Sequence, residues 1–330
     1  MARRIAIYYD SKQEGNWFKG LSHSLRKAPL KKLEGGGGNP PRVERLLRYD
    51  RPDIIVAVDG KPKLVVEKTR EVPTGHNVTQ RFARLANAVE EGVMVIYFLP
   101  YRAMKHGKHA SRCYISARLF MALERMEAIH RVPALAVEWP STRHFELKRG
   151  GDENEEMREL VADLASSRFD FRGLGSIRAT KRKMHHEREE RTERAPATAR
   201  PPRSVKVLDT REFIKALSGR VATFRRGMLP RGFLKRRKTL VYRLGMTPAK
   251  CRREDPYTGT QFLYDYIWCR KGSRPSEKHT NLVLDVPRVS KVRWLQANPN
   301  SPVKKSSLYY ATANLIALKD GLIVCKNKLG

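Results

Sequence analysis

The sequence predicts an α/β protein in two parts: a mixed central sheet flanked by helices, then a strongly basic α+β region. Three observations carry this. Two apolar, β-branched runs meet at Asp59-Gly60, a pair suited to a tight hairpin turn. Helical and buried-strand patterns then alternate as far as Trp139, which implies parallel strands with helices against the sheet. Finally, residues 1–175 carry 31 basic and 22 acidic side chains, a net +9, whereas residues 203–330 carry 28 and 8, a net +20.

In chain order, Arg4–Tyr9 predicts a short strand and Gly35-Gly36-Gly37-Gly38-Asn39-Pro40-Pro41 a loop. Arg42–Tyr49 has helical spacing at Val43, Leu46 and Leu47, just after the two prolines. Asp53–Val58 and Lys63–Lys68 are the hairpin strands. Asn77–Gly92 predicts a helix stopped by its glycine, Val93–Leu99 a buried strand, Ser116–His130 a helix and Ala134–Trp139 a further strand. Residues 176–202 lack apolar periodicity and end in a Pro/Ala/Arg run, so they predict a charged linker, its first half a solvated helix. Beyond it, Val205–Ser218 predicts a helix. Thr239–Leu244, Gln261–Cys269, Asn281–Val286, Val292–Leu295 and Ile316–Cys325 predict strands. The expected division is therefore a domain over 1–175, a linker over 176–202 and a basic domain over 203–330.

Composition narrows the function. At 330 residues, 40% hydrophobic and net +33, the chain is long enough for two cores and needs a polyanionic partner, for which nucleic acid is the default. No apolar run approaches the roughly 18 residues of a membrane span, and no Lys-rich helix has a wide apolar face, so a membrane partner is not expected. The first apolar run breaks at Asp10, too early for a signal-peptide core. Cys113, Cys251, Cys269 and Cys325 lie far apart, as expected of reduced thiols in a cytoplasmic protein.

The chemistry concentrates in Arg51–Glu71. Antiparallel pairing through Asp59-Gly60 brings Asp53 and Glu67 to one end of the hairpin, where two carboxylates repel unless a cation lies between them. A hard divalent ion such as Mg²⁺ meets that need. Strand alternation puts Glu67, Thr69 and Glu71 on one face and Lys68 and Arg70 on the other. Gln80 and Arg84, four apart, share a face of the following helix and can reach a scissile phosphate.

Pro52-Asp53, the hairpin, Glu67-Lys68-Thr69, then helix and buried strand resemble the core of the PD-(D/E)xK nucleases, as found in type II restriction endonucleases. The resemblance covers residues 40–140, about a third of the chain. It implies a restriction-endonuclease-like core in which Asp53 and Glu67 hold Mg²⁺, with Glu44 matching a further glutamate that family members carry on a preceding helix. The family's lysine falls at Thr69; family members replace this lysine or supply its charge from a neighbouring element, so the resemblance implies Lys68, Gln80 or Arg84 as the substitute. The activity implied is Mg²⁺-dependent hydrolysis of double-stranded DNA by a homodimer. Two alternatives remain open: a non-catalytic nucleic-acid-binding protein with a decayed core, and a structure-specific repair nuclease of the same superfamily.

Duplex docking is expected in the basic region. Arg225-Arg226 and Lys235-Arg236-Arg237-Lys238 flank Gly227–Phe233, and Arg252-Arg253 precede a turn able to enter a groove. Arg84 is a further candidate contact to nucleic acid.

Overall fold

The computed structural model describes residues 4–35, 37–73, 78–79, 81–107, 110–151, 154–222, 224–251, 258–272, 280–300 and 307–325. It is an α/β structure of mixed sheets flanked by helices, in two compact units, Met1–Ala195 and Pro196–Gly330.

In the first unit, β1 (Ile5–Tyr9), α1 (Lys12–Gly20) and β2 (Leu30–Lys32) lead to a short helix, α2 (Pro41–Glu44), which continues as a 3₁₀ turn over Arg45–Leu47. The hairpin follows as β3 (Ile54–Val58) and β4 (Lys61–Lys68). Asp59 and Gly60 at its tip have φ of 51° and 72°, the paired positive angles that match the twist of a two-residue turn. Next come α3 (Phe82–Glu90), β5 (Met94–Pro100), the small hairpin β6 (Arg102–Lys105) and β7 (Ser111–Tyr114), α4 (Ala117–His130) and β8 (Ala134–Trp139). The six-stranded sheet has the order β2-β1-β3-β4-β5-β8. β3 lies antiparallel to β1 and β4, while β4, β5 and β8 run parallel. Every residue of β3 and β5 is buried, which is why these strands read as continuous apolar runs rather than alternating ones.

α3 forms because Phe82, Leu85, Ala86 and Val89 fall at helical spacing and are all buried. Gly92, at φ 73°, ends it, with the Val93 amide donating back to the Ala88 carbonyl.

The segment expected as a linker takes another form. After α5 (Glu155–Ser166), residues Gly175–Arg194 form a 20-residue helix, α6, packed on α4 and β8. Its buried stripe is only Ile177, Thr180 and Met184. Much of its adhesion is ionic: Lys181 pairs with Glu127, Lys183 with Glu156 at 2.7 Å, and Arg188 with Glu124 at 2.7 Å. Those partners lie on other elements, so the charge that suggests a solvated segment is in fact spent on contacts.

The second unit contains β9 (Val205–Asp209), α7 (Thr210–Arg220), β10 (Lys238–Arg243), α8 (Thr258–Trp268), β11 (Thr280–Val286), α9 (Lys291–Ala297), α10 (Ser307–Thr312), β12 (Leu315–Leu318) and β13 (Leu322–Val324). Its sheet order is β13-β12-β11-β10-β9, with β10, β11 and β12 parallel between antiparallel edges. Phe213, Phe233, Val283 and Leu315 are among the residues of its core.

Four expectations change here. Ile316–Cys325, expected as one strand, is two, because the chain reverses between Leu318 and Leu322 and pairs β12 with β13 antiparallel. Val205–Ser218 is a strand followed by a helix, because Asp209 and Glu212 form a reciprocal capping box that starts the helix at Thr210. The stretch Gln261–Cys269 is helical as far as Trp268: Phe262, Leu263 and Tyr266 are buried at helical spacing, and tertiary packing overrides the segment's aromatic strand preference. Val292–Leu295 lies in α9, whose Ser290 cap accepts from the Arg293 amide. Among the described residues no helix is long and apolar enough to cross a membrane.

Candidate active site

The hairpin register puts Ile54 opposite Val66. A one-residue shift in register between Val56 and Ala57 makes Asp53 and Glu67 the next pair outward, where a regular ladder from the turn would set Asp53 against Val66. The two carboxylates thus meet at one end of the hairpin, as the sequence predicts. Asp53 is 6% exposed, and its Oδ2 accepts the Lys68 amide at 2.6 Å. Glu67 is fully buried.

The cation between them is Arg84. From α3 its Nη1 donates to Glu67 Oε2 at 3.0 Å and lies 3.6 Å from Asp53 Oδ1, while Nη2 pairs with Asp50. Arg81, one residue before α3, stands 3.9 Å from Glu67 Oε2 and donates to the Lys68 carbonyl at 2.5 Å. Glu67 Oε1 is buried without a hydrogen-bond partner. Local structure fixes Asp50 opposite α3: Asn87 Nδ2 donates to the Arg45 carbonyl at 2.9 Å, tying the 3₁₀ turn that leads to Asp50 against the helix. Asp50 itself has φ 95°, a conformation uncommon outside glycine.

Burial dominates the electrostatics. It raises the Asp53 carboxyl to about 6, against the lowering influence of Arg81, and the nearby Glu14 charge adds to the rise. Glu67 is likewise held well above the ordinary carboxylate range by burial, with Arg84 opposing. Arg84 is raised because its burial is outweighed by Glu67, Asp50 and Asp53 together.

The other sequence candidates divide. Lys68 points to the opposite sheet face, as alternation requires, and its Nζ lies 3.9 Å from the centre of the Trp17 ring. Trp17, Phe98 and Trp139 stack there at 5.7 and 4.9 Å, and Arg70 caps Trp139 at 4.8 Å. Lys68 is therefore corrected from candidate site cation to a partner of aromatic rings. Thr69 is on the Glu67 side but buried, its Oγ1 accepting the Glu71 amide at 3.2 Å. Glu44 does not join the pair; it accepts from Asn39 Nδ2 at 2.8 Å, and Asp50 stands as the third carboxylate instead. Arg84, offered as a nucleic-acid contact, is engaged by carboxylates. Gln80, Arg252 and Arg253 lie outside the described residues. Among the described residues no three His, Cys, Asp or Glu side chains gather as a metal cluster. Sequence reasoning missed Asp50 and Arg81, although Asp50-x-x-Asp53 and Arg81-x-x-Arg84 are each visible as a spaced like-charge pair.

In the second unit, Arg211 and Lys215 of α7 line a groove of about 890 Å³ together with Arg225 and Arg226. Ile214, Phe224 and Leu234 also line it, and among the described residues no acidic side chain does. Lys235, Arg237 and Lys238 are exposed, whereas Arg236 is half-buried and donates to the Thr280 carbonyl at 2.9 Å. Arg236 is thus a structural member of its cluster. At the carboxyl end of the parallel strands, Asp285 is buried between Arg220 at 2.5 Å and Arg243 at 3.0 Å.

No family model matches the chain, and comparison with curated proteins and with solved structures gives no match either.

Proposed function

We propose that the chain is a Mg²⁺-dependent endonuclease of double-stranded DNA, of the type II restriction class, acting as a cytoplasmic homodimer. The observation that carries this reading is the buried Asp53–Glu67 pair, facing each other across a hairpin, with Glu67 Oε1 lacking any partner. A buried carboxylate oxygen without a donor is costly, and a hard cation relieves that cost. The donor set suits Mg²⁺, which takes one or two carboxylates and completes its shell with water and phosphate oxygens. When bound, the ion supplies a polarised phosphate oxygen and a bound water of lowered pKa. The protein's own share is to present Asp53 and Glu67 on a rigid sheet, to exclude bulk water from Glu67, and to place the Arg81 and Arg84 charges beside the pair. The antiparallel hairpin followed by helix and parallel buried strand also agrees with the core this reading expects.

The groove of Arg211, Lys215, Arg225 and Arg226 suits a phosphate backbone, since among the described residues four cations and no acid line it. Lys235, Arg237 and Lys238 extend the same charge.

One experiment tests the reading. Duplex DNA of phage length is incubated with the protein, with and without Mg²⁺, and resolved on a gel. Discrete Mg²⁺-dependent fragments are expected, lost in Asp53→Ala and Glu67→Ala while DNA retardation persists. Full cleavage by either variant overturns the assignment. Sequencing the fragment ends separates a site-specific enzyme from a repair nuclease that cuts without a fixed site.

A second reading has its own observation. Thr69 stands where the related nucleases carry lysine, and Arg84 sits between the carboxylates. A protein that binds DNA but has lost cleavage accommodates both. Retardation without cutting across several divalent metals selects it.

A further inference from the structure

The Arg84 guanidinium occupies the notch that a divalent ion needs. A single nitrogen, Nη1, serves both hairpin carboxylates, at 3.0 Å from Glu67 and 3.6 Å from Asp53. The other, Nη2, serves Asp50, which is not on the hairpin and whose side chain is 41% exposed. A permanent buried ion pair is stable when the fork meets one carboxylate squarely and every oxygen is satisfied. Here the fork is split between two hairpin acids and a peripheral one, and Glu67 Oε1 is left without a donor. The peripheral acid is held at φ 95°, an unfavourable backbone angle that places it beside the arginine.

We propose that Arg84 is a built-in counter-ion that closes the Asp53–Glu67 notch until a divalent cation displaces it, and that Asp50 receives the guanidinium when it yields. This rests on the reading of Asp53 and Glu67 as metal ligands. A guanidinium and a dication cannot share those oxygens, because like charges a few ångströms apart in a buried site, little screened by water, repel strongly. Arg84 need not leave the pocket to give them up. Its bond to Asp50 already exists, so displacement costs the contacts of Nη1 and keeps those of Nη2. In the metal-free protein the same arrangement keeps two buried carboxylates from facing each other unscreened.

Mn²⁺ binding, measured by titration calorimetry at pH 7.5 on the full chain, tests this without reference to cleavage. Arg84→Met is expected to tighten Mn²⁺ by about tenfold or more. Asp50→Asn is expected to loosen it several-fold, because Arg84 then has only the hairpin acids to hold. In the Arg84→Met background, Asp50→Asn is expected to change nothing. Should Arg84→Met fail to fold by circular dichroism, Arg84→Lys serves, with a smaller tightening expected from its single-point charge. Unchanged or weaker Mn²⁺ binding in the folded variant overturns the proposal. So does an equal loss from Asp50→Asn in both backgrounds, which makes Asp50 a ligand. If Glu67→Gln abolishes binding in either case, the metal reading survives the loss of the counter-ion. If Mn²⁺ binds neither wild type nor Arg84→Met, the metal reading and the proposal fall together.

Discussion

The two units carry the same run of strand directions and opposite charges at the same corner. In the first, an antiparallel strand precedes three parallel ones as β3, β4, β5 and β8; in the second the run is β9, β10, β11 and β12. Where β3 begins beside the end of β4, the first unit has Asp53 and Glu67. Where β9 begins beside the end of β10, the second has Ser204 and Arg243, joined by an amide-to-carbonyl bond of 2.7 Å. The first corner is acid with arginine supplied from a helix; the second is arginine with one buried acid, Asp285, supplied from β11. A shared scaffold therefore says little about shared chemistry, which depends on what the strand ends carry.

The largest effect that sharpens this contrast is on cleavage. Glu67→Ala is expected to lower the cleavage rate at least about a thousandfold, some 4 kcal/mol of transition-state stabilisation. Asp285→Asn is expected to leave the rate at saturating DNA unchanged. A comparable loss from both, read in single-turnover assays, breaks the distinction between the corners.

Stability comes next. Phe233 is fully buried in the core of the second unit. Phe233→Ala is expected to cost that unit about 3–5 kcal/mol. Differential scanning calorimetry should then resolve an early transition for the second unit, with the first unit's transition in place. A uniform shift of one transition means the units do not unfold separately.

A pH dependence belongs to the first unit. Burial raises Asp53 to about 6, from an ordinary value of 3.8. Between those values the folded chain binds more protons than the unfolded one, so stability from this group is greatest at low pH and falls as pH rises toward 6. The expected loss is roughly 2–3 kcal/mol, and Glu67 acts in the same direction. Urea unfolding of wild type and Asp53→Asn, compared from pH 4 to 7 without divalent ions, should show wild type losing ground as pH rises. The reverse slope contradicts the burial seen for Asp53.

Smaller effects follow in the groove. Arg225→Ala with Arg226→Ala is expected to weaken DNA binding roughly tenfold and to flatten the salt dependence by about one to two counterions. Anisotropy titrations at several salt concentrations read both. Smallest of all is Glu44→Ala, which removes the bond from Asn39 and is expected to cost under about 1 kcal/mol with no change in cleavage.

Much of the first unit is legible because its signals are local. Asp59-Gly60 and the buried runs on either side define the hairpin, and alternation through Glu67, Lys68 and Thr69 defines which side chain faces where. The register is less legible, because a one-residue shift between Val56 and Ala57 is what sets Asp53 opposite Glu67 rather than Val66. The roles of Asp50 and Arg84 are not local. They depend on the 3₁₀ turn docking against α3 through Asn87 and Arg45, a contact between residues 42 positions apart. The packing of the helix Gly175–Arg194, expected as a solvated one, escaped for a related reason: only three of its residues are buried, and its ion-pair partners come from elements far away in sequence. In the second unit, α8 misled because Phe262, Tyr264, Tyr266 and Trp268 mimic strand alternation, while burial follows the helical period.

The ring stack under Lys68 has an optical consequence. The chain has four tryptophans, and Trp17 and Trp139 sandwich Phe98 in the first unit while Trp268 and Trp294 lie in the second. Fixed aromatic packing gives near-ultraviolet dichroism that vanishes when the packing loosens. With Trp268 and Trp294 replaced by phenylalanine, the remaining indole signal comes from the two rings beside Lys68. The protein thus carries its own spectroscopic gauge of the sheet that holds Asp53 and Glu67, readable without a label.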